Sequence, residues 1–306
     1  MNPLRGILMK VLSVTVFVVM ASCIKATTDH VPPGEAVFFR SFFAIPVIFA
    51  WLWLRGALEE GVRTKNPMGH FWRGFVGTAA MGMGFAGLAY LPLPEVTAIG
   101  YAAPLLVVIF AAMFLNEQVR IFRLSTVALG LVGVLIVLSP RLSTLGGEAD
   151  IAEALGAMLV LGSAVCAALA QVFVRKLVQV ERTAAIVFWF SVTATCLSFL
   201  TLPYGWVVPE PHEVMLLVAA GLLGGVGQIL LTSAYRFADA SLIAPFEYAS
   251  MLLALGVGYF VFDEVPTLTM LGGAAIVIFA GVLIIWRERQ LGLERSRQRK
   301  AMTPGG

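Results

Sequence analysis

The sequence contains one pattern twice. Residues 6–55 align with 156–205 without a gap, at an offset of 150. Gly6 falls on Gly156, Ser13 on Ser163, Lys25 on Arg175 and Ser41 on Ser191. Farther along the offset becomes 147, where Gly74 meets Gly221, Gly77 meets Gly224, Tyr101 meets Tyr248 and Glu117 meets Glu264. A repeat of this length restricts the fold to two copies of one unit related by symmetry. Composition decides what the unit is made of: 59% of residues are hydrophobic and 13% charged, with a mean hydropathy of +0.90. A soluble domain carries about 25% charged residues, so this chain has too little polar surface to cover a water-soluble globule.

The apolar residues come in runs of about 20, the length at which a helix crosses a bilayer core. Ten such spans are expected, near 7–26, 35–54, 71–90, 95–115, 121–139, 154–174, 184–203, 214–235, 241–262 and 267–286. They must be helices, since backbone polar groups in lipid need partners within the segment unless a barrel closes, and no period-two alternation supports a barrel. The first run is not expected to be a cleaved leader, because no small-residue cleavage site followed by a soluble domain separates it from the next span. Cys23, Cys166 and Cys196 are odd in number and scattered, and read as buried apolar filler.

Lys and Arg placement fixes the expected orientation. With the N-terminus in the cytoplasm, Arg5, Arg55, Arg63, Lys65, Arg73, Arg120, Arg123, Arg175, Lys176, Arg182 and Arg236 fall on the cytoplasmic side, as does the basic tail Arg287 to Lys300. The other side keeps Arg141 alone in its loops, with Glu148, Asp150, Glu210, Glu213, Asp263 and Glu264. The expected fold class is therefore an all-α membrane protein of ten transmembrane helices, a 5+5 inverted repeat with both termini cytoplasmic. The units are 1–140, an outer connecting loop 141–153, 154–287, and a basic cytoplasmic tail 288–306. The tail should lie near anionic lipid.

Several motifs imitate chemistry. Gly82, Gly84 and Gly87 match GxGxxG, but inside an apolar span with no strand before it, so helix packing explains them better than a nucleotide. His212 and Glu213 begin a zinc motif whose second His is absent, and His30, His70 and His212 have no metal-ligand spacing. No phosphate loop is present. No catalytic residue, metal or cofactor is expected.

Ionisable and polar groups deep in a membrane are the default functional candidates. Glu247 lies several residues inside span nine, between the helix breaker Pro245 and Tyr248; its alternative role is a structural pair with Arg236. Tyr101 and Tyr248 are repeat mates on the proline-bearing spans four and nine, suited either to binding a flat, partly polar molecule or to packing. Gln171 and Gln228 are amides in apolar helices, and Ser22 and Ser163 are smaller candidates; interhelical bonding is the alternative for each. Lys25, Asp29, Glu35 and Arg40 are expected to form one ion-paired cluster at the outer rim, serving as a gate or a structural network. No deep cation for an anionic substrate is apparent.

Each repeat closes with a proline span ending in acid: Ala103 and Pro104 lead to Asn116 and Glu117, and Ala244 and Pro245 to Asp263 and Glu264. In this the chain resembles the drug/metabolite transporter superfamily, EamA type, over residues 5–287. Glu35 through Arg40 and His70 through Gly74 resemble the branch that includes bacterial riboflavin and S-adenosylmethionine uptake proteins. The resemblance implies a secondary transporter of the bacterial cytoplasmic (inner) membrane, working by alternating access, with Tyr101, Tyr248, Glu247, Gln171 and Gln228 near a central cavity. The expected cargo is a small molecule, with riboflavin the first choice and uptake the first direction; export of amino acids or related metabolites is the alternative. The expected partners are that substrate and the lipid bilayer, with no nucleic acid; a homodimer is compatible with the class. A membrane-embedded enzyme would need a catalytic cluster that the loops lack, and a non-transporting subunit of a larger complex is the third reading.

Overall fold

A computed structural model of the chain describes residues 3–56, 58–115, 121–143, 148–177, 180–237 and 244–302. Regular structure there is helical: α1 (Pro3–Lys25), α2 (Pro33–Phe42), α3 (Ala44–Leu54), α4 (Leu58–Val62), α5 (Pro67–Tyr90), α6 (Leu93–Gly100), α7 (Ala102–Leu115), α8 (Ile121–Ser143), α9 (Glu148–Leu177), α10 (Thr183–Ser198), α11 (Pro211–Phe237), α12 (Ala249–Phe262) and α13 (Leu268–Met302). Short 3-10 turns cover Phe199–Tyr204 and Ala244–Tyr248. Among the described residues, seven stretches of 20 to 24 residues are long and apolar enough to cross a membrane: Leu4–Lys25, Pro33–Leu54, Leu93–Phe114, Ile151–Val174, Ala184–Tyr204, Pro211–Leu231 and Leu268–Arg287. Leu124–Pro140 and Phe246–Phe262 are shorter apolar helices. The acid end of the first proline span at 116–117, the connecting loop at 144–147 and the tail tip 303–306 lie outside the described residues, as does the Arg236 side chain.

Proline sets the breaks. Pro46 has no N–H to give the carbonyl of Phe42, and the helix is interrupted at Phe43 between α2 and α3. Pro104 stands in the same relation to Gly100, and the interruption falls at Tyr101, between α6 and α7. At the head of α5, Pro67 occupies the first turn and the Asn66 side chain caps it, accepting from the Gly69 amide at 2.9 Å.

The rods pack in exchanged pairs. α1 lies along α11, and α9, which carries the repeat mates of α1, lies along α5, which carries the mates of α11. Hydrogen bonds follow the exchange: Ser13 Oγ donates to the Gly227 carbonyl at 2.8 Å, and its mate Ser163 donates to the Ala80 carbonyl, mate of Gly227, at 2.6 Å. Ser22 is spent on its own helix, donating to Val18 O. α8 lies along α13 and α2 along α10. Two glycines of the motif in α5 serve packing on α9, where a Cβ on Gly87 would come within 2.2 Å of Val160 and one on Gly84 within 3.0 Å of Ser163, while Gly82 faces open space.

Two ends of the bundle differ. At the end bearing Lys25, Met20, Ile24, Phe85, Leu88, Leu93 and Leu217 form a buried apolar plug. At the opposite end no cluster of comparable size is assembled from their mates among the described residues; Ala234 packs there with Ile7 and Met9. α1 meets α5, while their mates α9 and α11 form no comparable interface among the described residues.

A staple joins two loops. Glu181 Oε1 accepts from the Thr64 hydroxyl (2.9 Å) and the amides of Lys65 (2.6 Å) and Asn66 (2.7 Å), with His70 Nε2 at 3.7 Å. Burial pushes its pKa up, but these hydrogen bonds outweigh burial and hold the carboxyl below its ordinary value. A depressed folded pKa contributes stability that is present above the unfolded value, about 4.3, and lost as pH falls through the folded one. Glu181→Gln is expected to cost about 1–3 kcal/mol at neutral pH. The gap from the parent protein should close as pH falls below about 4, as read by thermal unfolding in detergent across pH.

Candidate functional site

Two repeat mates that touch must straddle the axis relating the repeats, and two such contacts involve side chains of interest among the described residues. Tyr101 and Tyr248 meet edge to face with ring centroids 5.0 Å apart. Phe190, at offset 150 from Arg40, has the Arg40 guanidinium 5.6 Å from its centroid. The line through these contacts is where groups from both halves converge.

The tyrosines are brought together, but their hydroxyls are engaged in packing. Tyr101 is buried, and its hydroxyl hydrogen-bonds the Ser250 hydroxyl, which donates to the Glu247 carbonyl at 2.7 Å. The Tyr248 hydroxyl points at Gly281 on α13, where a Cβ would collide with it. Glu247 pairs with Lys10 at 3.2 Å. The Lys10 side chain is 3% exposed and that of Glu247 47%, so the pair sits at the mouth of the less plugged end. Gln171 is exposed and Gln228 half-buried.

The expected rim cluster of Lys25, Asp29, Glu35 and Arg40 is not what forms. Lys25 Nζ pairs with Glu264 at 2.8 Å and donates to the carbonyls of Leu88 (3.3 Å) and Leu91 (2.9 Å). The other Glu264 oxygen accepts from the Leu93 amide at 2.9 Å, capping α6. Glu35 accepts from the Val207 amide at 3.1 Å, and Asp29 is exposed. The reason is geometric: the second repeat brings its own acids and amides to this end, closer than the neighbours along the first.

Arg40 leaves the rim altogether. It is 5% exposed and runs inward to Phe190, with Gly224 of α11 leaving room for its Nε. Arg73, which the loop count assigned to the cytoplasmic side, starts its side chain two turns inside α5. It is 9% exposed and lies 3.7 Å from the same ring, in space left by Gly77. Gly77 and Gly224 are repeat mates, so the same vacancy in each half houses one guanidinium. Two deep cations therefore exist where none was expected. Sequence reasoning missed Arg73 because it set the start of the span at residue 71 rather than Pro67. Lys10, near enough to the start of its span for a lysine to reach outward, is instead buried against Glu247. The Gly77/Gly224 match was the available signal.

The EamA-like transporter family model matches residues 4–139 and 154–287, both copies of the repeat. The chain belongs to the EamA-like transporter family. As such it is a multi-pass inner-membrane transporter of small molecules and not an enzyme. It is 31% identical over 275 residues to the pseudopaline exporter CntI of Pseudomonas aeruginosa, covering 89% of this chain and 93% of that protein. It is 26% identical over 256 residues to the S-adenosylmethionine uptake transporter of Rickettsia felis (84% of each chain). It is 29% identical over 258 residues to the riboflavin transporter of Rhizobium johnstonii (84% and 82%). A solved crystal structure aligns with a TM-score of 0.68 at 20% identity, covering 94% of this chain and 97% of that one, which establishes the shared fold. Within this EamA-like protein no group of three or more His, Cys, Asp or Glu side chains is placed to hold a metal among the described residues.

Proposed function

We propose that this chain is an alternating-access secondary transporter of small metabolites, built as ten spans in a 5+5 inverted repeat with both termini in the cytoplasm. Its units are 1–140 and 154–287, joined by the outer loop 141–153 and followed by the basic tail 288–306. The observation that carries this reading is the contact of repeat mates, Tyr101 with Tyr248 and Arg40 with Phe190. An inverted repeat has its axis in the membrane plane, so both contacts lie at mid-depth, where transporters of this construction bind substrate. With Lys and Arg facing the cytoplasm, the plugged Lys25 end is outer and the Lys10–Glu247 mouth is inner. The conformation is then one with the outer side shut.

The relatives carry different cargo, and all three named cargoes are tested together. Cells expressing the protein should accumulate one of radiolabelled riboflavin or S-adenosylmethionine, or lose preloaded pseudopaline, relative to cells without it. Export is the second reading, favoured by the 31% identity to an exporter. No movement of any compound by protein reconstituted in vesicles overturns transport. Within this reading Glu247 and its partner Lys10 are the route for a coupled proton, and Tyr101, Tyr248, Gln171 and Gln228 are the cavity candidates. Glu247→Gln is expected to change the pH dependence of transport while the protein still folds; superimposable pH profiles would remove the proton role.

A further inference from the structure

Arg40 and Arg73 reach one ring from two different helices, and neither has a counter-charge among the described residues. Among the described residues no carboxylate comes within ion-pair distance of either guanidinium. Arg40 Nε, Arg73 Nε and Arg73 Nη1 are buried without a hydrogen-bond partner. Both side chains are more than nine-tenths buried. Attraction to a single aromatic ring is small beside the cost of removing a guanidinium from water, and here one ring serves two cations. Charges placed this way in a membrane protein mark a substrate path. The planar guanidinium fork matches a carboxylate in particular, offering paired N–H donors to its two oxygens.

We propose that Arg40 and Arg73, gathered on the ring of Phe190, form a mid-membrane site for the carboxylate of the transported metabolite. This rests on the transporter reading and names its substrate class: a small carboxylic acid with an apolar or aromatic body, held at the carboxylate by two arginines. A neutral heteroaromatic such as riboflavin leaves the pair without a counter-charge and is disfavoured. Because Arg40 and Phe190 are repeat mates, the site lies on the axis and stays reachable from either side as the bundle rocks.

The test uses the full-length protein in detergent and in vesicles, with acid and amide pairs as probes: phenylalanine against phenylalaninamide, phenylacetate against phenylacetamide, and S-adenosylmethionine against its carboxamide. Inorganic phosphate is a further arm. At least one acid should raise the unfolding temperature while its amide partner does not. Arg73→Met should weaken that acid at least tenfold and Arg73→Lys less. Without ligand, Arg73→Met should unfold at a higher temperature than the parent, since it removes an unpaired buried charge. Equal responses to acid and amide, no response to any acid, or acid binding indifferent to both Arg40→Gln and Arg73→Met would overturn the site. So would a preference for phosphate, or a ligand-free Arg73→Met protein that unfolds at a lower temperature. Flux in vesicles separates the two readings: carriage of a neutral probe unaffected by Arg73→Met sinks the site and leaves transport. Arginine-dependent acid binding without flux of any probe sinks transport and leaves the site.

Discussion

Lys25→Met is expected to destabilise the protein by about 3–5 kcal/mol, the usual cost of stranding one member of a buried ion pair. Both side chains are mostly out of solvent, 13% exposed for Lys25 and 14% for Glu264. The ammonium also serves the carbonyls of Leu88 and Leu91, which close α5. Its removal leaves a carboxylate and two carbonyls short of a donor, in a plug whose other members are apolar. Glu264→Gln should cost less, because the amide oxygen still accepts from the Leu93 N–H. The double variant Lys25→Met with Glu264→Gln should recover part of the loss, since no unpaired charge remains. Thermal unfolding of the four proteins in one detergent completes the cycle. A double variant equal to the sum of the singles would mean that the two side chains are not coupled.

Neighbouring glycines on α13 should respond with opposite signs. A Cβ on Gly273 would stand 2.7 Å from the Gly133 carbonyl oxygen and 2.9 Å from the Val137 nitrogen of α8. Those are backbone atoms, which cannot rotate aside, so Gly273→Ala must push two helices apart; about 3 kcal/mol or more is expected. Gly272 has nothing within 4 Å of the same added carbon. Gly272→Ala should be neutral, or more stable by up to about 1 kcal/mol from helix propensity alone. Unfolding temperatures of the two variants decide it, and a Gly273→Ala protein as stable as Gly272→Ala would show that the α8–α13 seam is not close-packed.

What was readable beforehand follows from what periodicity and repetition encode. Apolar runs gave the rods, Pro104 marked a span that is interrupted, and the matched Tyr101 and Tyr248 gave a meeting point, because symmetry alone forces mates near the axis together; the break before Pro46 went unread, since its run is continuously apolar. Partner choice was not readable, because the rotation of one helix about its own axis against another leaves no trace in one helix's sequence. Lys25 found Glu264 from the other repeat instead of Glu35 nearby, and Arg40 turned inward instead of along the rim. Arg73 was misplaced by a four-residue error in a helix start, enough to turn a deep charge into a loop charge. The roles of Gln171 and Gln228 depend on the same rotations, which leave one exposed and the other half-buried.

The packing of α1 along α11 and of α9 along α5, each fixed by one serine bond, from Ser13 to Gly227 and from Ser163 to Ala80, joins each half to the other. The packed pieces of this bundle are thus not the two halves of the gene. One piece joins α1 with α11 and the other joins α5 with α9, so each is a hybrid with one rod from either copy. A single copy made alone could assemble neither piece from its own chain and would have to borrow the missing rod from a second molecule. The duplicated chain carries within itself the interface that two separate single copies would otherwise have to form.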